Sequence, residues 1–247
     1  LASRHIQSYR DLPVTLYQIE TKFRDEPRPR GGLVRLREFT MKDAYSFDAG
    51  WEALDASYAA AYDAYVRIFA RAGVPVIPVA ADSGAIGGKE SQEFVFLMDD
   101  GEDETLLCPQ CGYAANAEKA EFAAPAAVPA NALPMERVAT PGQKTIAGLA
   151  QFLGIEERQT VKAVFYVADK QPVFVAIRGD LDVNEVKLKN ALKAQDVDPM
   201  DEATVKRLGL VAGSASAVGM TGMKIVADPS ATEAANLVAG ANEEGFH

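Results

Sequence analysis

Apolar positions along this chain recur with two different periods, and stretches of each kind follow one another. Residues 14–24, "VTLYQIETKFR", are dense in β-branched and aromatic side chains and predict a strand. Residues 33–41, "LVRLREFTM", predict a second. Between them stands "PRPRGG", where Pro27 and Pro29 lack ladder donors and the glycines favour a turn. The pair predicts an antiparallel hairpin whose loop projects Arg28 and Arg30. Alternation on the return strand puts Leu33, Arg35, Arg37 and Phe39 on one face, which suits a flat anionic ligand better than a core.

A helical period follows. Trp51, Leu54, Tyr58, Ala61, Tyr62, Tyr65, Phe69 and Ala72 share i, i+3/i+4 spacing, with Asp48 as the expected cap and Gly73 as the stop. The aromatic stripe reads as core. Residues 74–79 and 93–98 predict strands joined by "SGAIGGKESQEF". The Ala- and Pro-rich stretch from residue 120 then reads as a linker.

Beyond it, residues 145–153 predict an amphipathic helix ended by Gly154, and 160–167 and 173–178 predict strands around a "DKQP" turn. Asp182 with Glu185 predicts a capping-box start for a helix over 184–192. "GLVAGSASAVGM" precedes a strand, "KIVAD", and a last helical segment. The expected fold class is α/β (α+β): an antiparallel sheet with helices over 1–119, a linker over 120–139 and a small α/β domain over 140–247.

The length of 247 residues suits one large domain or two ordinary ones, and the 48% hydrophobic content is that of a globular chain. A formal charge of −10 argues against indiscriminate nucleic-acid binding. Residues 24–37 are the exception: five arginines stand against Asp25 and Glu26, a local +3. No apolar run approaches a membrane span and the N-terminus does not read as a signal peptide. The two cysteines, Cys108 and Cys111, fit a reducing cytoplasm, and an opening Leu1 suggests a piece of a longer chain.

Candidate chemistry narrows quickly. The only histidines are His5 and His247, and no GxSxG elbow occurs, so nucleophile–His–acid catalysis has little support. The CxxC at 108–111 lacks the second ligand pair that a zinc site needs, so no metal is expected. "AIGGKES" lacks the GxxxxGK[ST] phosphate-loop pattern, and "GSASAVG" reads as a flexible loop. Lys162 stands out inside an apolar strand, where a solvated edge position is the plain alternative.

"TKFRDEPRPRGGLVRLREFTMKDAYSF", with FRDE on one strand, an Arg-rich loop and REF on the return, resembles motif 2 of class II aminoacyl-tRNA synthetases. It is similar in particular to bacterial prolyl-tRNA synthetases, as are "GGKESQEF" and "CGYAAN". From "TPGQKTIAGLAQFL" onward the chain resembles the editing insertion of the same family. The resemblance implies ATP-dependent ligation of proline to tRNA(Pro), with Mg2+, and hydrolysis of mischarged Ala-tRNA(Pro) without a cofactor. It implies Arg24 on the ATP α-phosphate, Glu26 on the adenine amino group, Phe39 stacked on the ring, and Arg28 and Arg30 at the tRNA acceptor end.

For editing it implies Thr140, Lys162, Asp228 and His247. It also implies a homodimer for the full-length enzyme. Ser216 and Ala217 depart from a usual Gly-Pro pair, and Gln92 stands where histidine is common. Motifs 1 and 3 have no counterpart here, so ligation is not expected of this chain alone. Two alternatives remain: a free-standing trans-editing deacylase, and a non-catalytic tRNA-binding module.

Overall fold

The computed structural model describes residues 2–84, 87–122 and 131–247. The expected "SGAIGGKESQEF" connection and the expected linker therefore lie partly outside the described residues, at 85–86 and 123–130. Two compact units emerge: Leu1–Pro78 with Phe94–Gly101, and Val79–Glu93 with Glu102–His247. This division by packing falls earlier in the chain than the compositional change near residue 120.

In the first unit, α1 (Ala2–His5) precedes β1 (Val14–Phe23) and β2 (Glu38–Phe47), which pair antiparallel from Val14↔Phe47 to Phe23↔Glu38. The return strand starts at Glu38, not at residue 33. Pro27 and Pro29 cannot donate to a ladder, so pairing ends where the Arg24 amide donates to the Arg37 carbonyl, 2.9 Å. A separate bridge between Arg30 and Arg35 closes a tight tip, with Gly31 and Gly32 at φ 66° and 63°. Leu33 and Val34 sit on that tip, exposed. The expected Leu33/Arg35/Arg37/Phe39 face is thus not a strand face; only Phe39 belongs to β2, opposite Lys22.

Helix α2 (Trp51–Ala72) ends at Gly73, whose left-handed φ of 70° lets its amide reach the Phe69 and Ala70 carbonyls. Its N-cap is Gly50 rather than Asp48; Asp48 instead accepts from the Ser57 hydroxyl at 2.7 Å. Tyr62, Tyr65 and Phe69, one helical stripe, surround the Phe94 ring at 5.4–5.6 Å between centroids.

Strands β3 (Val76–Ala81) and β4 (Ser91–Phe96) are displaced by two residues from their expected ranges. In the second unit, Ala80 of β3 pairs in parallel with Ala115 of β6 (Ala114–Asn116). β5 (Thr105–Leu107) pairs antiparallel with β6, and the CxxC makes the turn between them. Those two three-residue strands were too short for the sequence pattern to show.

The rest of the second unit is built on a four-stranded sheet. Helix α3 (Ile146–Leu153) is capped by Thr145 and stopped by Gly154. β7 (Val161–Ala168) and β8 (Gln171–Arg178) form a hairpin from Val161↔Arg178 to Ala168↔Gln171, turning through Asp169 and Lys170. After α4 (Glu185–Leu192) come β9 (Val197–Pro199), α5 (Glu202–Arg207), β10 (Lys224–Ala227) and α6 (Pro229–Thr232). Helix α4 is capped by Asn184, not by Asp182. The sheet order is β10-β8-β7-β9, with β10 parallel to β8.

Both faces of the sheet are covered at β8, which is why its run from Val173 to Ile177 is apolar and buried without alternation. Tyr166, Val173 and Val175 pack with Leu188 of α4 on one face. Phe174 and Ala176 pack with Ala215 and Met220 on the other. Residues 131–139 also follow this unit: Leu133 donates to the Asn236 side chain at 2.8 Å, and Val138 exchanges amide bonds with His247.

Candidate functional site

The C-terminal segment returns to the start of the module. Val138 donates to the His247 carbonyl at 2.7 Å and Thr140 to the Gly245 carbonyl at 2.8 Å. This short pairing brings two buried polar side chains face to face. Thr140 Oγ1 stands 2.6 Å from His247 Nδ1, and Thr140 is fully buried. The other ring nitrogen, Nε2, lies 3.1 Å from the Gly213 carbonyl, which can only accept. The network assigns the proton to Nε2, so Nδ1 accepts from the Thr140 hydroxyl. Burial pushes the imidazole below its ordinary pKa, against a smaller upward effect of the Gly213 carbonyl, so the neutral ring is favoured.

His247 lines a cavity of about 130 Å³ with Lys162, Ala163, Gly213, Ala215 and Gly240. Ile146, Leu149 and Val161 add an apolar part to the wall, and Lys144 and Thr145 complete it. Its size lies well below the ~300–1,000 Å³ typical of sites for drug-sized ligands. The Lys162 ammonium itself turns toward the loop before α4, donating to the Leu181 carbonyl at 2.8 Å and to Asp182 Oδ1 at 2.7 Å. Asp182 is almost wholly exposed, at 96%, so this pair is weak and the ammonium can exchange it for another anion.

Asp228 lies elsewhere. It caps α6 by accepting from the Ser230 amide at 2.9 Å and lines a larger cleft of about 740 Å³. That cleft also includes Ile177, Arg178, Asp182 and Lys187. Ile177 is the cross-strand partner of Lys162. The structure thus pairs Thr140 with His247, sets Lys162 on the same small cavity, and places Asp228 on the second cleft. Gly213, Ala215 and Gly240 were missed as wall residues; their small size left no chemical signature in the sequence.

In the first unit the arginine-rich loop is internally braced. Arg24 Cζ lies 5.1 Å from the Phe39 ring centroid. Glu26 accepts from Arg35 Nε at 2.8 Å and from the Arg28 amide at 3.2 Å, and both bonds hold its carboxyl below the usual range. Arg37 Nε donates to the Glu26 carbonyl at 2.8 Å. Arg30 bridges Arg35 through its backbone.

At the CxxC, the Cys108 amide donates to Tyr113 and the Gly112 amide to Cys108. The amides of Cys111 and Gln110, then the Cys111 thiol, lower the Cys108 pKa. Among the described residues, no cluster of three or more His, Cys, Asp or Glu could hold a metal, and no helix is long and apolar enough to cross a membrane.

Residues 140–247 match the family model "Aminoacyl-tRNA editing domain". The whole chain aligns with curated proline–tRNA ligases. It is 56% identical over 247 residues to one from Dehalococcoides mccartyi, covering 100% of this chain and 43% of the relative. It is 49% identical over 250 residues to one from Citrifermentans bemidjiense, covering 44% of it. A third, from Salinispora tropica, is 44% identical over 256 residues, with 43% of it covered. The chain thus spans less than half the length of these relatives. A solved structure, hypothetical protein APE2540, aligns with 46% of this chain and 78% of its own at 20% identity and a TM-score of 0.40. Over its whole length the chain therefore belongs, as a segment, to the bacterial proline–tRNA ligase family, and residues 140–247 match an aminoacyl-tRNA editing domain.

Proposed function

We propose that residues 140–247 hydrolyse the ester of Ala-tRNA(Pro), within a parent ligase that joins proline to tRNA(Pro). The observation that carries this is the small cavity, lined in part by Ala163, Gly213, Ala215 and Gly240 and bordered by Lys162 and a neutral His247. A proline-binding pocket cannot exclude alanine sterically, and missing methylenes give only about 1–3 kcal/mol of discrimination. A second, smaller chamber admits the alanyl methyl and rejects the pyrrolidine ring.

In the reaction, water adds to the ester carbonyl and the carbon–oxygen bond to the terminal ribose breaks. Alanine leaves with a new carboxyl group, and the ribose regains its hydroxyl. Lys162 supplies positive charge to the oxyanion or to the adjacent phosphate once it releases Asp182. Thr140 holds the imidazole of His247 in place at the border of the chamber. Asp228 faces the larger cleft, beside which the terminal adenosine would lie. No cofactor enters this step.

For the parent ligase, ATP with Mg2+ is the second substrate. Arg24, Glu26 and Phe39 offer what a nucleotide needs: a cation resting on an aromatic face, and an ionised carboxylate one turn of loop away. Arg24 would meet the α-phosphate, Glu26 the adenine amino group and Phe39 the ring, while Arg28 and Arg30 reach the acceptor end of tRNA(Pro). A cytoplasmic homodimer is the setting proposed for the full-length enzyme.

The test is alanyl-ester hydrolysis by this chain beside Lys162→Ala. A loss of more than about tenfold in the variant supports a catalytic Lys162, and a smaller one removes it from the mechanism.

A further inference from the structure

The loop that walls the small cavity is held by one side chain outside it. Asn242 donates its backbone amide to the Ser214 carbonyl at 2.8 Å. Its Oδ1 accepts from the Ser216 amide at 2.8 Å, and its Nδ2 donates to Ser216 Oγ at 3.2 Å and to the Val218 carbonyl at 2.9 Å. Ser214 and Ser216 are themselves buried, at 3% and 5% exposure, while Asn242 reaches them from the exposed side. Asn242 occupies the left-handed region at φ 55°, which asparagine tolerates better than most residues.

The same loop presents two groups to the cavity: the Gly213 carbonyl, which receives His247 Nε2–H, and the Ala215 side chain. Two residues before Asn242, Gly240 lines the same cavity and packs directly on the loop, so closely that an added Cβ would overlap the Ser214 carbonyl group. The 240–242 segment thus lies against the 213–218 loop, and Asn242 ties the two together, so the clamp holds Gly213 and Ala215 in their places on the cavity wall.

We infer that Asn242 is a specificity-determining positioning residue: by clamping the 213–218 loop it fixes a chamber that accepts an alanyl group and rejects a prolyl one. The inference rests on the deacylase function proposed above.

The experiment measures hydrolysis of Ala-tRNA(Pro) and Pro-tRNA(Pro) by the wild type, Asn242→Gly and Ser216→Ala, with thermal midpoints for each. Asn242→Gly keeps the left-handed backbone and deletes the clamp. It is expected to lower the alanyl-to-prolyl rate ratio by about tenfold, with the prolyl ester cleaved faster than by the wild type. Ser216→Ala removes only the Oγ end of the clamp and shifts the ratio the same way, by about threefold; it decides the matter if the glycine variant is unfolded. A selective wild type with both folded variants slowing the two esters equally gives Asn242 a merely structural role and overturns the inference. A wild type that cleaves neither ester overturns the deacylase function itself, and the role of Asn242 with it.

Discussion

Thr140 Oγ1 and His247 Nδ1 stand 2.6 Å apart across a sequence separation of 107 residues. The pair closes the editing module on itself, because the backbone around each residue also pairs with the other. Among the described residues Thr140 offers the one hydroxyl that meets Nδ1, and both groups are withdrawn from water.

Removing that hydroxyl leaves a buried acceptor unsatisfied. Thr140→Val should cost about 1–3 kcal/mol of unfolding free energy in urea titrations and lower alanyl-ester hydrolysis. Thr140→Ser keeps the donor and should recover most of the activity. Equal losses in the two variants would mean that packing of the methyl group, not the hydrogen bond, is what matters.

The depressed pKa of His247 has a definite sign in stability. The folded chain resists protonating the imidazole, while the unfolded chain binds a proton near the ordinary value of about 6.5. The unfolded state therefore holds more protons in the window just below that value, and stability falls as pH falls through it. The denaturation midpoint should be level above about pH 7 and decline below about pH 6.5. His247→Gln should flatten the decline between that point and the carboxylate range; an unchanged profile would place its origin in another group.

Arg28 and Arg30 lie on an exposed loop tipped by Gly31 and Gly32. If they contact acceptor-end phosphates, Arg28→Ala and Arg30→Ala should weaken tRNA binding alike for cognate and non-cognate acceptor sequences. Each should reduce the slope of log affinity against log salt by about one. A slope unchanged in both variants would assign the loop to bracing of Glu26 instead.

The sequence announced whole elements better than their edges. Gly73 and Gly154 stopped helices where expected, because a left-handed glycine is needed at both points. The return strand of the hairpin began five residues late, since two prolines and two glycines open a wider loop than strand propensity suggests. Asp182 looked like a cap, but its carboxylate is taken by Lys162, and Asn184 caps α4. Thr140 and His247 could be named only by resemblance. No spacing rule joins residues so far apart, and the small residues Gly213, Ala215 and Gly240 in the cavity wall carry no chemistry that a one-dimensional pattern can show.

The central claim is that the small chamber sorts esters by side-chain size, and the most direct measurement is a pair of first-order rate constants. The chain is incubated with Ala-tRNA(Pro) and, separately, Pro-tRNA(Pro), and ester loss is followed beside Lys162→Ala. The account predicts rapid loss of the alanyl ester, persistence of the prolyl ester at the uncatalysed rate, and no acceleration by the variant. Equal cleavage of both esters, or survival of both, would contradict it.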